Sequence, residues 1–333
     1  MYQNTLPMWK GFNLLDMLNL DRKGEFSETD FKWIAELGFN FVRLPLSYQF
    51  WINNNDVYDV NAENLKKIDR AVEFGDKYGI HVNLNFHKAP GYNVGNYVTE
   101  PYSLWKDAEA IKAFCFHWEL MARRYKGIAS KKLSFNPLNE PPSIKPDNMT
   151  AEAHTKAITA CVNTIRNVDK DRLIIVDGVR YATQSCPELI GLGVAQSCHA
   201  YYPMEITHYK AAGFGEREWI VPTWPMHSDF GGFQHGWWDK DRIKEFYREW
   251  GELVRQGVGV HCGESGISPH TPHNVALAWL KDVIEELDRY KIGLALWVFK
   301  GPGAILDSER DDVDYENFHG HKLDRKLLDL ILR

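Results

Sequence analysis

The run FNFVRLPL, residues Phe39–Leu46, decides the fold of this 333-residue chain. Its side chains are mostly apolar at successive positions and do not alternate with polar ones. Such a run is typical of a strand that is buried on both faces, as in a parallel sheet covered by helices. The runs LIIVDG, from Leu173, and GLALWVF, from Gly293, have the same pattern. The chain is therefore expected to contain a parallel sheet.

Eight β-rich apolar runs are spaced along the chain. They are Trp9–Leu15, Phe39–Leu46, Ile80–Phe86, Leu133–Leu138, Leu173–Asp177, Ala195–Ala200, Gly259–Cys262 and Ile292–Phe299. Segments with helical spacing of apolar side chains lie between them. These are Ser27–Leu37, which starts at a predicted serine cap, Asn61–Tyr78, Trp105–Tyr125, Ala151–Val168, Arg242–Gln256, Asn274–Tyr290 and Leu323–Leu332, with a short fifth connection at Pro187–Ile190.

Eightfold alternation of strand and helix predicts an α/β fold with one domain over residues 1–333. The predicted architecture is a (β/α)8 TIM barrel with long loops at its carboxyl-terminal rim. A doubly wound open sheet is the alternative architecture. Such a sheet often carries a glycine-rich phosphate turn, and the sequence has no GxGxxG after its first strand.

Composition excludes several classes of function. The chain has 45 acidic and 39 basic side chains and a net charge of -6 without a long basic run, which argues against nucleic acid as a partner. Neither a signal peptide at Met1–Asn13 nor a membrane-spanning run is recognisable, so we expect a soluble protein, either intracellular or with its signal removed. Five cysteines without a CxxC pair argue against disulfides and zinc, and no metal or cofactor is expected. The sequence does not indicate the oligomeric state.

Aromatic residues favour a sugar ligand. The chain has 12 Trp, 15 Tyr and 17 Phe, and an indole ring stacks well on the apolar face of a pyranose, although most of these rings are expected in the core. The long connection Pro203–Lys240 is predicted to bind substrate over the barrel mouth, because long loops in compact domains are usually functional. Its candidate substrate-binding residues are Trp224, Trp237 and Trp238.

Polar side chains collect at the ends of the predicted strands, where barrel enzymes place their catalytic groups. They are Arg43, His87, Asn139, Glu140, His199, Tyr201, Glu264 and, on the last strand, Trp297. Glu140 and Glu264 follow strands four and seven, which lie across the barrel from each other. Two facing carboxyl groups can hydrolyse a glycosidic bond, one by protonating the leaving oxygen and the other by attacking the anomeric carbon.

The segments VRLP, FHKAPG, LNEP, HAYYP, CGESG and LALWVFKG occur in this order along the chain. Together they resemble glycoside hydrolase family 5, the cellulase family, over nearly the whole length. The resemblance implies a retaining β-glycoside hydrolase with Glu140 as acid/base and Glu264 as nucleophile. It also implies that Asn139 bonds the sugar 2-hydroxyl and that Tyr201 and Arg43 keep Glu264 ionised, Arg43 by lowering its pKa. The remaining implied contacts are His87 and His199, which would hold the carboxylates and substrate, and Trp297 as the floor under the sugar. Lys300, three residues after Trp297, is a further candidate for a bond to a sugar hydroxyl, with a solvated surface position as the alternative.

The substrate is open at this level. A β-1,4-glucan cut by an endoglucanase is the first expectation, and an exo-acting β-glucanase, a mannanase or another family 5 glycosidase is the alternative. Exo action needs loops that block one end of the cleft, and Tyr92–Tyr102 and Pro203–Lys240 are long enough. A metal-dependent hydrolase is disfavoured because strand one, Lys10–Leu14, has no histidine. A non-catalytic carbohydrate-binding barrel is disfavoured because both carboxylates are present.

Overall fold

The computed structural model describes residues 3–96, 99–212 and 217–333. Each of the eight predicted runs overlaps a strand of one parallel sheet. The strands are β1 Lys10–Asn13, β2 Phe41–Ser47, β3 His81–Ala89, β4 Leu133–Asn136, β5 Ile175–Asp177, β6 Ala195–Ala200, β7 Val260–Ser265 and β8 Gly293–Leu296.

The sheet curls until its first and last strands meet. Parallel ladders join β1 to β2 and to β8, β2 to β3, β3 to β4, β5 to β6, β6 to β7 and β7 to β8. Between β4 and β5 there is a single parallel bridge, Phe135 to Ile174, instead of a ladder. The Phe135 N–H also donates to the Leu173 carbonyl at 3.0 Å across this seam. The predicted α/β barrel is confirmed, with a thin junction at this point.

The longer helices cover the outside of the sheet. They are α1 Glu28–Glu36, α2 Ala62–Tyr78, α3 Ala108–Arg124, α4 Ala151–Val168, α5 Lys240–Arg255, α6 His273–Arg289 and α7 Arg325–Leu332. Asn61 starts α2 by accepting from two backbone N–H groups, and Gly79 ends it with φ 69°. Ser27 stands at the start of α1, but its side chain makes no capping hydrogen bond, so that predicted cap is corrected.

Short elements occupy the connections. The fifth connection is the 3-10 helix Pro187–Leu192, close to the prediction, and the other short helical turns are Tyr48–Trp51, Val94–Asn96, Val179–Ala182, Met204–Thr207 and Gly232–Gln234. Small hairpins pair Ile52–Asn53 with Asp56–Val60, Met226–Ser228 with Gly236–Trp238, and Glu316–Phe318 with His321–Leu323, while Tyr92–Asn93 pairs with the end of β3. The sequence did not predict these hairpins, because strands of two to five residues are too short to show a period.

Aromatic side chains fill the amino-terminal end of the barrel. Trp9 stacks on His81 with ring centroids 3.9 Å apart, and Phe41 contacts His261 at 4.4 Å. Burial lowers the pKa of His81 to about 4 and that of His261 to about 3, so both rings are neutral packing groups. This plug closes one end of the barrel and leaves the carboxyl ends of the strands to form a cavity. Among the described residues, no helix is long and apolar enough to cross a bilayer.

Candidate active site

A cavity of about 890 Å³ opens at the carboxyl ends of the strands. Its wall contains five of the predicted site residues: His87, Glu140, Tyr201, Glu264 and Trp297. His87 and Glu264 belong to β3 and β7, Tyr201 and Trp297 directly follow β6 and β8, and Glu140 lies in the loop after β4. The strand ends therefore bring residues that are far apart in sequence to one surface, as a parallel barrel requires.

Glu140 and Glu264 approach each other in this cavity, with His199 between them. One carboxyl oxygen of each glutamate and one imidazole nitrogen all lie within 4.8 Å of one another. Nδ1 of His199 is 2.7 Å from Oε1 of Glu140 and 3.8 Å from Oε2 of Glu264. Retaining glycosidases need about 5–5.5 Å between their two carboxyl groups, and inverting enzymes about 6.5–9.5 Å. The approach of the two carboxyl oxygens to within 4.8 Å is closer to the spacing of the first class than to that of the second.

Glu264 is held by two donors and is almost fully buried, with 3% exposure. Arg43 donates to its Oε1 at 2.5 Å, and the Tyr201 hydroxyl donates to its Oε2 at 3.0 Å. Arg43 is itself buried and also donates to Asn13 and Asn139. The carboxylate thus has a fixed orientation toward the cavity.

The pKa of Glu264 differs from the expectation from sequence. Burial raises the pKa, and the carboxylates of Glu140 and Asp177 add to this rise. The positive charges of His199 and Arg43 act in the opposite direction, as predicted for Arg43, but they do not outweigh burial. An ionised nucleophile in this site therefore depends on both cations and on the tyrosine donor.

The two predicted histidines differ in charge. Burial lowers the pKa of His199, but the carboxylates of Glu264, Asp177 and Glu140 outweigh that effect and raise it to about 9. Burial, aided by the Arg43 charge, holds the pKa of His87 well below its usual value, so His87 is neutral. His87 Nδ1 lies 4.0 Å from Oε1 of Glu264, and its ring contacts Trp297 with centroids 5.4 Å apart.

The side-chain amide nitrogen of Asn139 is available to donate a hydrogen bond. Its Oδ1 accepts from Arg43 at 2.8 Å, but its buried Nδ2 has no hydrogen-bond partner among the described residues. A buried donor without a partner is costly, and a sugar hydroxyl would satisfy it. Asn139 directly precedes Glu140, so this donor is next to the reacting atoms.

The comparisons with known proteins agree with this geometry. The family model for cellulase (glycosyl hydrolase family 5) matches residues 4–303. The chain belongs to glycoside hydrolase family 5. It is 28% identical over 314 residues to Endoglucanase C of Acetivibrio thermocellus, a match that covers 87% of this chain and 89% of that one.

Solved structures of glycoside hydrolases have the same fold. A crystal structure of a glycoside hydrolase matches with a TM-score of 0.91 and 38% identity, over 98% of this chain and 99% of that chain. Endoglucanase Cel5A from Thermotoga maritima matches with a TM-score of 0.77 and 21% identity, over 97% of each chain. The family 5 resemblance and the glycosidase activity that it implies are confirmed, and the substrate is a carbohydrate.

Four predicted substrate-binding residues do not line the cavity at the carboxyl ends of the strands. Lys300 pairs with Asp30 of α1 at 2.5 Å. Trp224 donates to Asp282 on α6 at 2.8 Å, and Trp237 is 58% exposed on the small hairpin. Trp238 is fully buried in the core. These assignments are corrected, because the hairpin packs its indoles against the outer helices or leaves them in solvent.

The long connection still contributes to the cavity through its first part. Met204, Thr207, His208 and Ala212 line the wall. Residues 213–216 of Pro203–Lys240 and residues 97–98 of Tyr92–Tyr102 lie outside the described residues, so the prediction that these loops block one end of the cleft stays a prediction.

Sequence reasoning missed a third buried carboxylate in the site. Asp177, at the end of β5, is 0% exposed, and it accepts the Glu140 backbone N–H at 3.0 Å. Asn136 donates to both Asp177 and the Ile175 carbonyl. The signal was present in the run LIIVDG, since Asp177 is the carboxylate at the end of a predicted strand.

Two groups of described side chains have atoms close enough to hold a metal ion. One is Glu140, His199 and Glu264, and the other is His154, Cys186 and Glu188 near α4. In the first group the protonated imidazole donates to a carboxylate, so it is not a free ligand. Its two carboxyl groups and imidazolium suit proton transfer to and from a substrate.

Proposed function

We propose that this family 5 enzyme is a retaining endo-β-1,4-glucanase. The observation that carries the retaining mechanism is the approach of Glu140 and Glu264 to within 4.8 Å. Glu140 protonates the glycosidic oxygen while Glu264 attacks the anomeric carbon, which gives a covalent glycosyl-enzyme. Glu140 then takes a proton from water, and the water oxygen replaces Glu264 at the anomeric carbon.

The donors around the carboxylates support these roles. Arg43 and Tyr201 fix both oxygens of Glu264, so one lone pair can be aimed at the sugar. The unpartnered Asn139 Nδ2 is suited to the 2-hydroxyl beside the anomeric carbon. Trp297 lines the same cavity and offers an apolar face to the ring.

The shape of the site favours internal cleavage of a polymer. The main cavity meets a second cavity of about 570 Å³, and Gly95 and Tyr181 line both. Tyr92, Tyr102 and Trp105 add aromatic faces to the second cavity. Sugar units therefore have room to bind beyond the main cavity. The similarity to Endoglucanase C favours a β-1,4-glucan over other polymers.

Two measurements test this function. The first is reducing-sugar release from carboxymethyl-cellulose, mixed-linkage glucan, laminarin, mannan and xylan, with Glu264→Gln as the blank. Rapid loss of viscosity in carboxymethyl-cellulose is expected of an endo enzyme. Release of glucose alone from laminarin would instead indicate an exo-acting β-glucanase, and release from mannan a mannanase.

The second measurement is the anomeric configuration of the first product, followed by proton NMR. A retaining enzyme releases the β-anomer before mutarotation. Initial release of the α-anomer would refute the double-displacement mechanism. Binding of cello-oligosaccharides without turnover by the unmodified enzyme would favour a carbohydrate-binding barrel.

A further inference from the structure

Asp177 is the buried carboxylate of the site that the two-glutamate mechanism does not use. Burial of a charge is costly unless the charge is paired and hydrogen-bonded. Asp177 Oδ1 accepts from Asn136 at 3.0 Å. Its Oδ2 accepts from the Glu140 N–H at 3.0 Å and from Arg43 at 3.3 Å, and it faces His199 Nε2 at 3.4 Å.

We propose that Asp177 is a positioning residue, which holds His199 and the backbone of Glu140 in the arrangement that lets Glu140 transfer its proton. The proposal rests on the proposed role of Glu140 as acid/base. It assigns to Asp177 no contact with substrate. Asp177 acts at two separate places, the backbone N–H of Glu140 and the imidazole of His199.

The action on the backbone follows from the conformation of Glu140. Its φ is 46°, in the left-handed region that residues other than glycine seldom occupy. Such strain persists where surrounding contacts impose it, and it is common at active sites. Among the described residues Asp177 is the one acceptor for the Glu140 N–H, so its loss would leave this donor without a partner there. Asp177 thus fixes the point from which the Glu140 side chain extends.

The action on the imidazole follows from the two contacts of His199. Nδ1 is 2.7 Å from Glu140, and Nε2 is 3.4 Å from Asp177 on the opposite side of the ring. The Nε2 contact is an ion pair without good hydrogen-bond geometry, since this atom has no hydrogen-bond partner among the described residues. Glu140 and Asp177, on opposite sides of the ring, favour the imidazolium form of His199. In that form both ring nitrogens carry a hydrogen, and the Nδ1–H points at Glu140.

Other charged and titratable groups face Asp177 from the surrounding elements. Arg43 approaches from β2, Glu140 from the end of β4, His199 and Cys198 from β6, Glu264 from β7, and Tyr92 from the loop after β3. Burial first, and then Cys262 beside Cys198 and the Glu140 carboxylate beside Tyr92, raise the pKa values of Cys198 and Tyr92 well above their usual values, so both stay neutral. The charge that Asp177 adds therefore acts on Arg43, His199 and the two glutamates.

The test compares Asp177→Asn with Asp324→Asn. Asp324 is a matched control, because it is also 0% exposed, accepts a backbone N–H from Leu327 at 3.0 Å and lies 2.8 Å from His273. Asp177→Asn keeps a side-chain oxygen that can accept the Glu140 N–H but removes the negative charge of the carboxylate. Both variants lose a buried carboxylate, so a loss due only to weaker folding appears in both.

The first readout is the pKa of His199, measured by NMR of labelled histidine. We expect it to fall from about 9 in Asp177→Asn and to stay unchanged in Asp324→Asn. This readout is independent of turnover, so it remains valid if the enzyme is not a β-1,4-glucanase. An unchanged His199 pKa in Asp177→Asn would overturn the imidazole action.

The second readout is the dependence of kcat/KM on the leaving group. For Asp177→Asn we expect a loss of about 10- to 100-fold on cello-oligosaccharides, the range for a lost hydrogen bond or ion pair to a charged group. The loss on an activated aryl glycoside should be much smaller, because that leaving group needs little protonation. Equal losses on both substrates would overturn the proposal. If Glu140→Gln also lost both activities equally, the acid/base role of Glu140 would fail instead.

Discussion

Replacement of Tyr201 by phenylalanine isolates one hydrogen bond to the proposed nucleophile, Glu264. The Tyr201 hydroxyl donates to Oε2 of Glu264 at 3.0 Å, in a site where burial holds the tyrosine pKa well above its usual value. The hydroxyl is therefore a donor throughout the working pH range. Phenylalanine keeps the ring and removes this donor alone.

The size of the effect follows from the charge of the acceptor. A hydrogen bond to an ionised group contributes about 1.5–3 kcal/mol, and each 1.36 kcal/mol corresponds to a factor of ten. Loss of the bond disfavours the ionised form of Glu264, so its pKa rises in Tyr201→Phe. At pH values on the acid limb of the rate profile, we expect kcat/KM to fall about 10- to 100-fold. At higher pH, where Glu264 ionises in both proteins, the two rates should converge.

The assay is kcat/KM against pH on an activated aryl β-glycoside, for which proton donation by Glu140 matters little. Tyr247→Phe is the control, since Tyr247 is a buried tyrosine of α5 that does not line the cavity. A loss that is the same at every pH would refute the electrostatic reasoning and leave Tyr201 with a packing role. An unchanged profile would show that the contact has no role in ionising Glu264.

Three further predictions follow from the same contacts. Glu140→Gln should lower kcat/KM about 10²–10⁴-fold on cello-oligosaccharides but far less on aryl glycosides, and equal losses would contradict an acid role. Trp297→Ala should raise KM for oligosaccharides about 10-fold or more, while Trp237→Ala, outside the cavity, should leave KM unchanged in the same assay. Burial and the Asp30 charge raise the pKa of Asp16 from 3.8 to about 6, so its ionised form destabilises the fold. Asp16→Asn should therefore add about 1–2 kcal/mol to the free energy of unfolding at pH 7.5 and much less at pH 4, close to the unfolded pKa of 3.8. Urea melts with equal gains at both pH values would contradict this.

The barrel could be predicted because its strands are buried on both faces. Each predicted run overlaps an observed strand, and the differences lie at the ends. Strand β4 stops at Asn136 because Pro137 has no N–H for the ladder. Strand β8 stops at Leu296, three residues before the apolar run ends at Phe299. The Phe299 side chain lies beyond the sheet and packs on Phe12, with ring centroids 5.0 Å apart. An apolar run in the sequence can therefore be longer than its strand, because residues after the strand also pack in the core.

The site could be predicted only where the strands fix it. Arg43 and Glu264 sit inside strands, and Tyr201 directly follows one, so the barrel closure determines where they point. Lys300 and Trp238 follow turns whose direction the sequence does not specify, and tertiary packing directs one to Asp30 and the other to the core. Residues inside a barrel strand or directly after it are thus predictable from the strand alone. Glu140 and Lys300 both lie four residues after a strand, and only Glu140 reaches the cavity.

The charges of the site explain why a third carboxylate belongs there. The proposed mechanism requires a protonated Glu140 before the first step, and the charges of Glu264 and Asp177 then balance those of Arg43 and His199. In the first step of the proposed mechanism Glu140 loses that proton to the leaving group, and Glu264 loses its charge by forming an ester with the sugar. The sum of the charges is the same before and after the step. Without Asp177 the buried site would carry an excess positive charge throughout, which would stabilise Glu140 as a carboxylate and oppose its action as an acid.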